Sequence, residues 1–132
     1  INHIFGSKLI DPQTGIMLNN EMDDFSQPGR SNAFGFIPNP NNYIEPLKRP
    51  QSSMAPIIIE REGQPWIVTG GSGGSYIISA VIQVLLNIMT RRMLPQQAIE
   101  EPRLHHQLIP NIVKFKSILK SYMPNLCTNL LF

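Results

Sequence analysis

The stretch "APIIIEREGQPWIVTGGSGGSYIISAVIQVLLNIMTRR", residues 55–92, decides the fold. Ile57-Ile58-Ile59 and Trp66-Ile67-Val68 are β-branched or aromatic runs, and Glu62-Gly63 between them is a turn signal, so the segment predicts a β-hairpin. Neither run alternates cleanly between polar and apolar residues. That pattern predicts strands buried on both faces, in a sheet sandwiched between layers. "GGSGGS", residues 70–75, then feeds a helix over residues 75–92. The helix is mostly apolar, with Ser79, Gln83, Asn87 and Arg91 spaced four apart and therefore on one face. One narrow polar stripe predicts a helix largely buried in a core. The apolar run over residues 76–89 falls short of the roughly 20 residues a membrane span needs.

Downstream, Leu94-Pro95 starts a short second helix, since proline suits a first turn, and Pro102 ends it. His105 and His106 are adjacent and point apart on either a helix or a strand. They read as polar core or surface residues rather than ligands. The last stretch, "SILKSYMPNLCTNLLF", residues 117–132, has weak helical periodicity up to Pro124 and stands apart as a divergent tail. Upstream, residues 26–53 are irregular, with Pro28, Pro38, Pro40, Pro46 and Pro50 among Asn, Gly and Ser. Fixed φ angles make such a segment stiffer than a Gly/Ser linker. Loops this long are usually functional or disordered. Phe25, Phe34, Phe36 and Tyr43 give this one apolar anchors, which predicts an ordered loop lying across the body. Before it, "NHIF" reads as a strand end, Gly6-Ser7, Asp11-Pro12 and Thr14-Gly15 as turns, and Ile16-Met17-Leu18 as a short strand.

The 132 residues suffice for one domain at most. Eleven basic residues against nine acidic leave a net charge of +2. Lys48-Arg49, Arg61 and Arg91-Arg92 lie far apart, so no basic face for nucleic acid is expected. Cys127 is the single cysteine, which excludes an internal disulfide. No Cys/His cluster has zinc spacing, and neither a metal nor a cofactor is expected. The chain starts at Ile1 without a signal peptide; the expectation is an internal or processed piece of something longer.

Three constellations can carry chemistry. The last glycines of "GGSGGS" allow close backbone approach, and the helix start offers N–H groups and positive partial charge. Such a turn can hold an anion, or an oxygen that becomes anionic in a transition state; equally it is a flexible strand-to-helix turn. It is not a nucleotide motif, because Ser75 stands where a P-loop needs "GK" and Tyr76 where GxGxxG needs its third glycine. Ser52-Ser53 offer two adjacent hydroxyls for one carboxylate, or close a loop. In "NNEMDDF", residues 19–25, three carboxylates fall within four residues. Glu21 and Asp24 share a face if that turn is helical, and can do acid–base work, bind an ammonium, or simply be solvated. Together these are the parts for an α-amino acid head group beside an acyl centre, without a nucleophile.

"NHIFGS", "NNEMDDFS", "KRPQSSMAP", "GGSGGS" and "EEPRLHHQLIPN" resemble, in that order and spacing, the small subunit of γ-glutamyltransferases (glutathione hydrolases) over residues 1–114. The resemblance implies an α+β fold, an αββα N-terminal-nucleophile hydrolase sandwich, here incomplete because only part of the small subunit is present. The small-subunit-like segment would span residues 1–116. The resemblance also implies a precursor that cleaves itself, freeing a threonine that attacks the γ-glutamyl bond of glutathione. The acyl group then passes to water, an amino acid or a dipeptide. By motif, Asn2, Glu21 and Asp24 would bind the substrate head, Ser52 and Ser53 its α-carboxylate, and Gly73 and Gly74 would supply oxyanion-hole amides. Asp23 and Asn20 would support them.

The family's nucleophile lies upstream of the "NHIFGS" equivalent, and Thr14, Thr69, Thr90 and Thr128 do not match its motif. An arginine that the family places in the large subunit is also absent. The expected partners are thus γ-glutamyl compounds, their acceptors, and the large subunit of the same precursor. The alternative is a non-catalytic truncated product that at most binds γ-glutamyl compounds. The resemblance implies an extracellular, periplasmic or membrane-associated setting.

Overall fold

A computed structural model describes residues 5–116. Asn2, the strand end read in "NHIF" and the tail from residue 117, with Cys127 and Thr128, lie outside the described residues. The chain divides into two compact units, Ile1–Ser52 and Ser53–Phe132.

The second unit holds the hairpin and helices. Strands β1 (Ile57–Arg61) and β2 (Gln64–Thr69) pair antiparallel, from Ile57 opposite Thr69 to Arg61 opposite Gln64, with an irregularity between Ile59 and Glu60. Glu62 and Gly63 both have positive φ, 56° and 75°, the signature of a turn whose twist matches a hairpin. Helix α1 spans Tyr76–Arg91. Its Ile77, Val81 and Leu85 pack on Ala55, Ile57, Ile59 and Ile67 and form the core. The period of four along the helix meets the period of two along the strands, so one face of the hairpin is covered.

The other face departs from the expectation. Ile58 and Val68 are 65% and 72% exposed, so among the described residues the strands are covered on one side only. Unbroken apolar runs reported what the strands could bury; the described residues supply one covering layer. Helix α1 departs similarly. Ile78, Ile82, Leu86 and Met89 are each about half exposed, while its polar stripe turns inward.

That stripe is the seam to the next elements. Helix α2 (Pro95–Glu100) and strand β3 (Arg103–His105) both pack on α1. Arg92, left-handed at φ 54°, ends α1, and the Met93 N–H bonds Asn87 O at 3.2 Å. Arg91 reaches both Asn87 Oδ1 (3.0 Å) and Glu101 Oε2 (3.6 Å). Gln97 Oε1 accepts from Leu94 N–H at 3.2 Å and so caps α2; Ala98 is fully buried. Strand β3 pairs antiparallel with β4 (Lys114–Lys116), a ribbon too short to leave a periodic signal.

In the first unit the strand expected at residues 16–18 becomes one arm of a narrow turn. Ser7 N–H bonds Leu18 O (3.0 Å), Leu18 N–H bonds Leu9 O (2.9 Å), and Ile10 bridges Met17. Asp11 closes its tip by accepting from Thr14 N–H at 3.0 Å. Two 3₁₀ turns follow, Glu21–Asp24 and Pro40–Asn42.

Candidate functional site

Asn19 Oδ1 accepts from Glu21 N–H at 2.9 Å, an Asx-type bond that starts the acidic turn. Asp23 N–H to Asn20 O (2.9 Å) and Phe25 N–H to Met22 O (3.3 Å) close it. Phe25, buried, is its apolar root. Glu21, Asp23 and Asp24 therefore share one short turn. Partial burial, then the charges of Glu21 and Asp23, raise the Asp24 carboxyl above its ordinary value.

The proline-rich loop holds this turn through Asn42. Its Nδ2 donates to Asp24 O at 2.8 Å, its Oδ1 accepts from Gln51 N–H at 2.8 Å, and its backbone O accepts from Ser26 N–H at 2.9 Å. An open groove of about 660 Å³ in this unit is lined by Ser7, Lys8, Asn19, Asn20, Met22 and Asp23, among others. Glu21 and Asp24 do not line it. Asn20 Oδ1 is buried without a hydrogen-bond partner.

The glycine turn belongs to the second unit. Gly73 and Gly74 have φ of 128° and 59°, and only glycine adopts the first without strain. A Cβ at Gly73 would meet Tyr76 Cβ at an ordinary 3.9 Å, so conformation rather than space requires glycine. Tyr76 N–H bonds Gly73 O (3.3 Å) and Ile77 N–H bonds Gly74 O (3.1 Å), which makes the pair the first turn leading into α1.

The predicted residues fall out as follows. Glu21, Asp24 and the exposed Ser52 lie in the first unit; the half-buried Ser53, with Gly73 and Gly74, lies in the second. Asn2 lies outside the described residues. The structure brings Glu21 and Asp24 into one turn and Gly73 and Gly74 into another.

The γ-glutamyltranspeptidase family model matches residues 1–130. The chain belongs to the γ-glutamyltranspeptidase family. The match reaches into the tail that the sequence motifs set apart. A glutathione hydrolase proenzyme of Arthroderma benhamiae is 55% identical over 85% of this chain and 19% of its own length. Glutathione hydrolase proenzyme 1 of Schizosaccharomyces pombe is 50% identical over 86% of this chain and 18% of its own length. The chain thus spans about a fifth of the length of these two relatives.

Among solved structures, a mutant Helicobacter pylori γ-glutamyltranspeptidase superposes with a TM-score of 0.77 at 40% identity, over 86% of this chain and 62% of that one. The Pseudomonas nitroreducens γ-glutamyltranspeptidase complexed with L-DON gives 0.71 at 45% identity, over 80% and 55%. The fold is that of the γ-glutamyltranspeptidase N-terminal-nucleophile hydrolases, present here in part.

Two side chains that brace these γ-glutamyltranspeptidase turns, Asn42 and Gln107, were not singled out by the motif reading. Asn42 is one of many asparagines in its loop, and its role appears only once Asp24, Ser26 and Gln51 are neighbours. Gln107 sits inside the quoted "EEPRLHHQLIPN", where the adjacent histidines drew the attention. The one available signal was a run of polar side chains, His105 to Gln107, flanked by leucines.

Proposed function

We propose that this chain supplies the head-group wall and oxyanion turn of an enzyme that hydrolyses or transfers γ-glutamyl groups, with glutathione as the representative donor. The observation that carries this reading is geometric: Glu21, Asp23 and Asp24 share one 3₁₀ turn, where partial burial and then the charges of Glu21 and Asp23 raise the Asp24 carboxyl. Such a turn favours a cation, and the ammonium of a γ-glutamyl donor is one. Family membership supplies the substrate class.

Asn2, Glu21 and Asp24 grip the ammonium end of the donor, and the Ser52 and Ser53 hydroxyls donate to its α-carboxylate. The γ-carbonyl carbon is then presented to a threonine hydroxyl of the complete protein. As the new ester bond forms, the carbonyl oxygen gains charge and the Gly73 and Gly74 amides receive it. Collapse breaks the amide bond, and the leaving amine departs with the proton that the threonine hydroxyl gave up. Water or an amine acceptor releases the glutamyl group in a second, mirror-image step. The partner implied is the rest of the precursor, in keeping with relatives that are themselves proenzymes.

The test is turnover of a γ-glutamyl anilide by the complete, self-processed protein. Asp24→Ala is expected to lower kcat/KM by about 3–5 kcal/mol in transition-state terms, as for a broken buried ion pair. Asp24→Asn should be nearly as poor, because it keeps shape and loses charge. Parental efficiency in both variants would overturn the reading.

A further inference from the structure

Ser75 stands where a helix-capping residue belongs, yet its side chain does not cap. A serine there ordinarily accepts from an N–H two or three residues on; α1 has no such side-chain bond. The buried Ser75 instead donates its hydroxyl to Gln107 Oε1 at 2.8 Å. The same Oε1 lies 2.9 Å from His105 Nε2, and Gln107 Nε2 donates to Ile109 O at 2.9 Å, which orients the amide. His105 is buried, with Ser79 Oγ at 2.8 Å from Nδ1 and the Tyr76 ring edge-on at 4.4 Å. An amide oxygen only accepts, so His105 presents an Nε2–H to it.

We infer that Gln107 is a positioning residue for the oxyanion turn. Two consecutive glycines have the widest backbone freedom of any pair, whereas an oxyanion hole works because its donors need no reorganisation as charge develops. Something outside the turn must restrict it. Gln107 takes hold of the residue immediately after Gly74, and through His105 and Ser79 it binds the second turn of α1. It also keeps the Ser75 hydroxyl off the amides at the helix start. This inference rests on the reading of Gly73 and Gly74 as oxyanion donors.

The experiment uses the complete, self-processed protein, turnover of a γ-glutamyl anilide, and thermal melting. Measured well below the melting midpoint, Gln107→Met should lower kcat by about tenfold or more, with KM for the donor within about twofold; the midpoint itself should fall, because Ser75 and His105 lose their shared acceptor. Gln107→Glu retains an acceptor for Ser75 and His105, and should recover most of the rate. Ser75→Ala should reproduce the loss, and the double variant Ser75→Ala/Gln107→Met should be no worse than either single one. Unchanged kcat in Gln107→Met, or a loss that tracks melting and is not rescued by glutamate, overturns the positioning role. If Gln107→Met does not fold or process, Ser75→Ala decides: parental kcat there overturns it equally. Gly73→Ala separates the two readings. If it keeps parental kcat, the oxyanion assignment falls and the positioning role with it. If it loses kcat while Gln107→Met and Ser75→Ala do not, the positioning role alone falls.

Discussion

Gln83 pairs with Leu104 as a neighbouring strand would: its Nε2 donates to Leu104 O at 2.6 Å, and its Oε1 accepts from Leu104 N–H at 2.8 Å. A single side chain of α1 thereby satisfies both backbone groups of the central residue of β3. Gln83→Met, similar in volume, should cost about 1–3 kcal/mol for these two bonds and the one from Nε2 to Ser79 O. Gln83→Glu keeps only the acceptor and should fall between. Urea unfolding of the complete protein measures both; a methionine variant as stable as the parent would refute the pairing.

Asp24 sets a stability–binding conflict with a definite sign. Its carboxyl is held above the ordinary 3.8, first by burial and then by Glu21 and Asp23. The fold thus binds this proton more tightly than the unfolded chain does. The stabilisation is complete below the ordinary value and is lost as pH rises through the raised one. Asp24→Asn should therefore melt higher than the parent at neutral pH and level with it in acid. Adding a γ-glutamyl ligand should raise the parent's midpoint and leave the variant's unmoved. A neutral-pH midpoint for Asp24→Asn below the parent's would contradict this.

Asn42 should govern substrate capture without touching substrate. Asn42→Ala removes the bonds to Asp24 O and Gln51 N–H, each worth about 1 kcal/mol net. Donor KM should rise about tenfold, with kcat nearly constant. Asn42→Asp retains the acceptor for Gln51 but loses the donor to Asp24, and adds charge to an acidic neighbourhood. It should be the worse of the two. Steady-state kinetics on both variants checks the order.

Expressed alone, the 132 residues should neither turn over a γ-glutamyl anilide nor melt cooperatively. Acyl transfer of this kind needs a covalent attacker, and no threonine of the chain matches the family's nucleophile motif. Ile58, Val68, Ile78, Ile82 and Leu86 leave apolar surface in water on the hairpin and on α1, which favours association. Turnover above buffer, or a sharp transition from a soluble monomer, would sink this expectation.

Much of this was legible in the residues. Glu62-Gly63 named its turn because few residues tolerate positive φ, and Pro95 and Pro102 bracketed α2 because proline acts locally. Glu21 and Asp24 were expected to share a face if "NNEMDDF" turned helically, and a 3₁₀ turn over Glu21–Asp24 does bring them together. What stayed illegible depends on partners far along the chain. The spacing of Ser79, Gln83, Asn87 and Arg91 put them on one face of α1 but did not say that Ser79 and Gln83 meet β3 there. Strand β4, Lys-Phe-Lys, is too short for a period, and Asn42 declares nothing locally. Burial of β1 and β2 on both faces was inferred from the lack of alternation in their runs, which records what a strand tolerates and not how many layers lie against it among the described residues.

The amide of Asn42 also makes the proline-rich loop modular. It pinches the chain where residues 24, 26 and 51 meet, leaving one lobe between Ser26 and Asn42 and a smaller one between Asn42 and Gln51. The ends of a loop closed at its neck stay together whatever the lobes contain, and doubling a lobe's length adds only about 0.6 kcal/mol of closure entropy. Insertions and deletions at the tips, near Gly29 and Gly35 or around Leu47, can therefore accumulate without moving the acidic turn. The lobes are free to change under selection for new contacts, while the neck keeps the acidic turn in register.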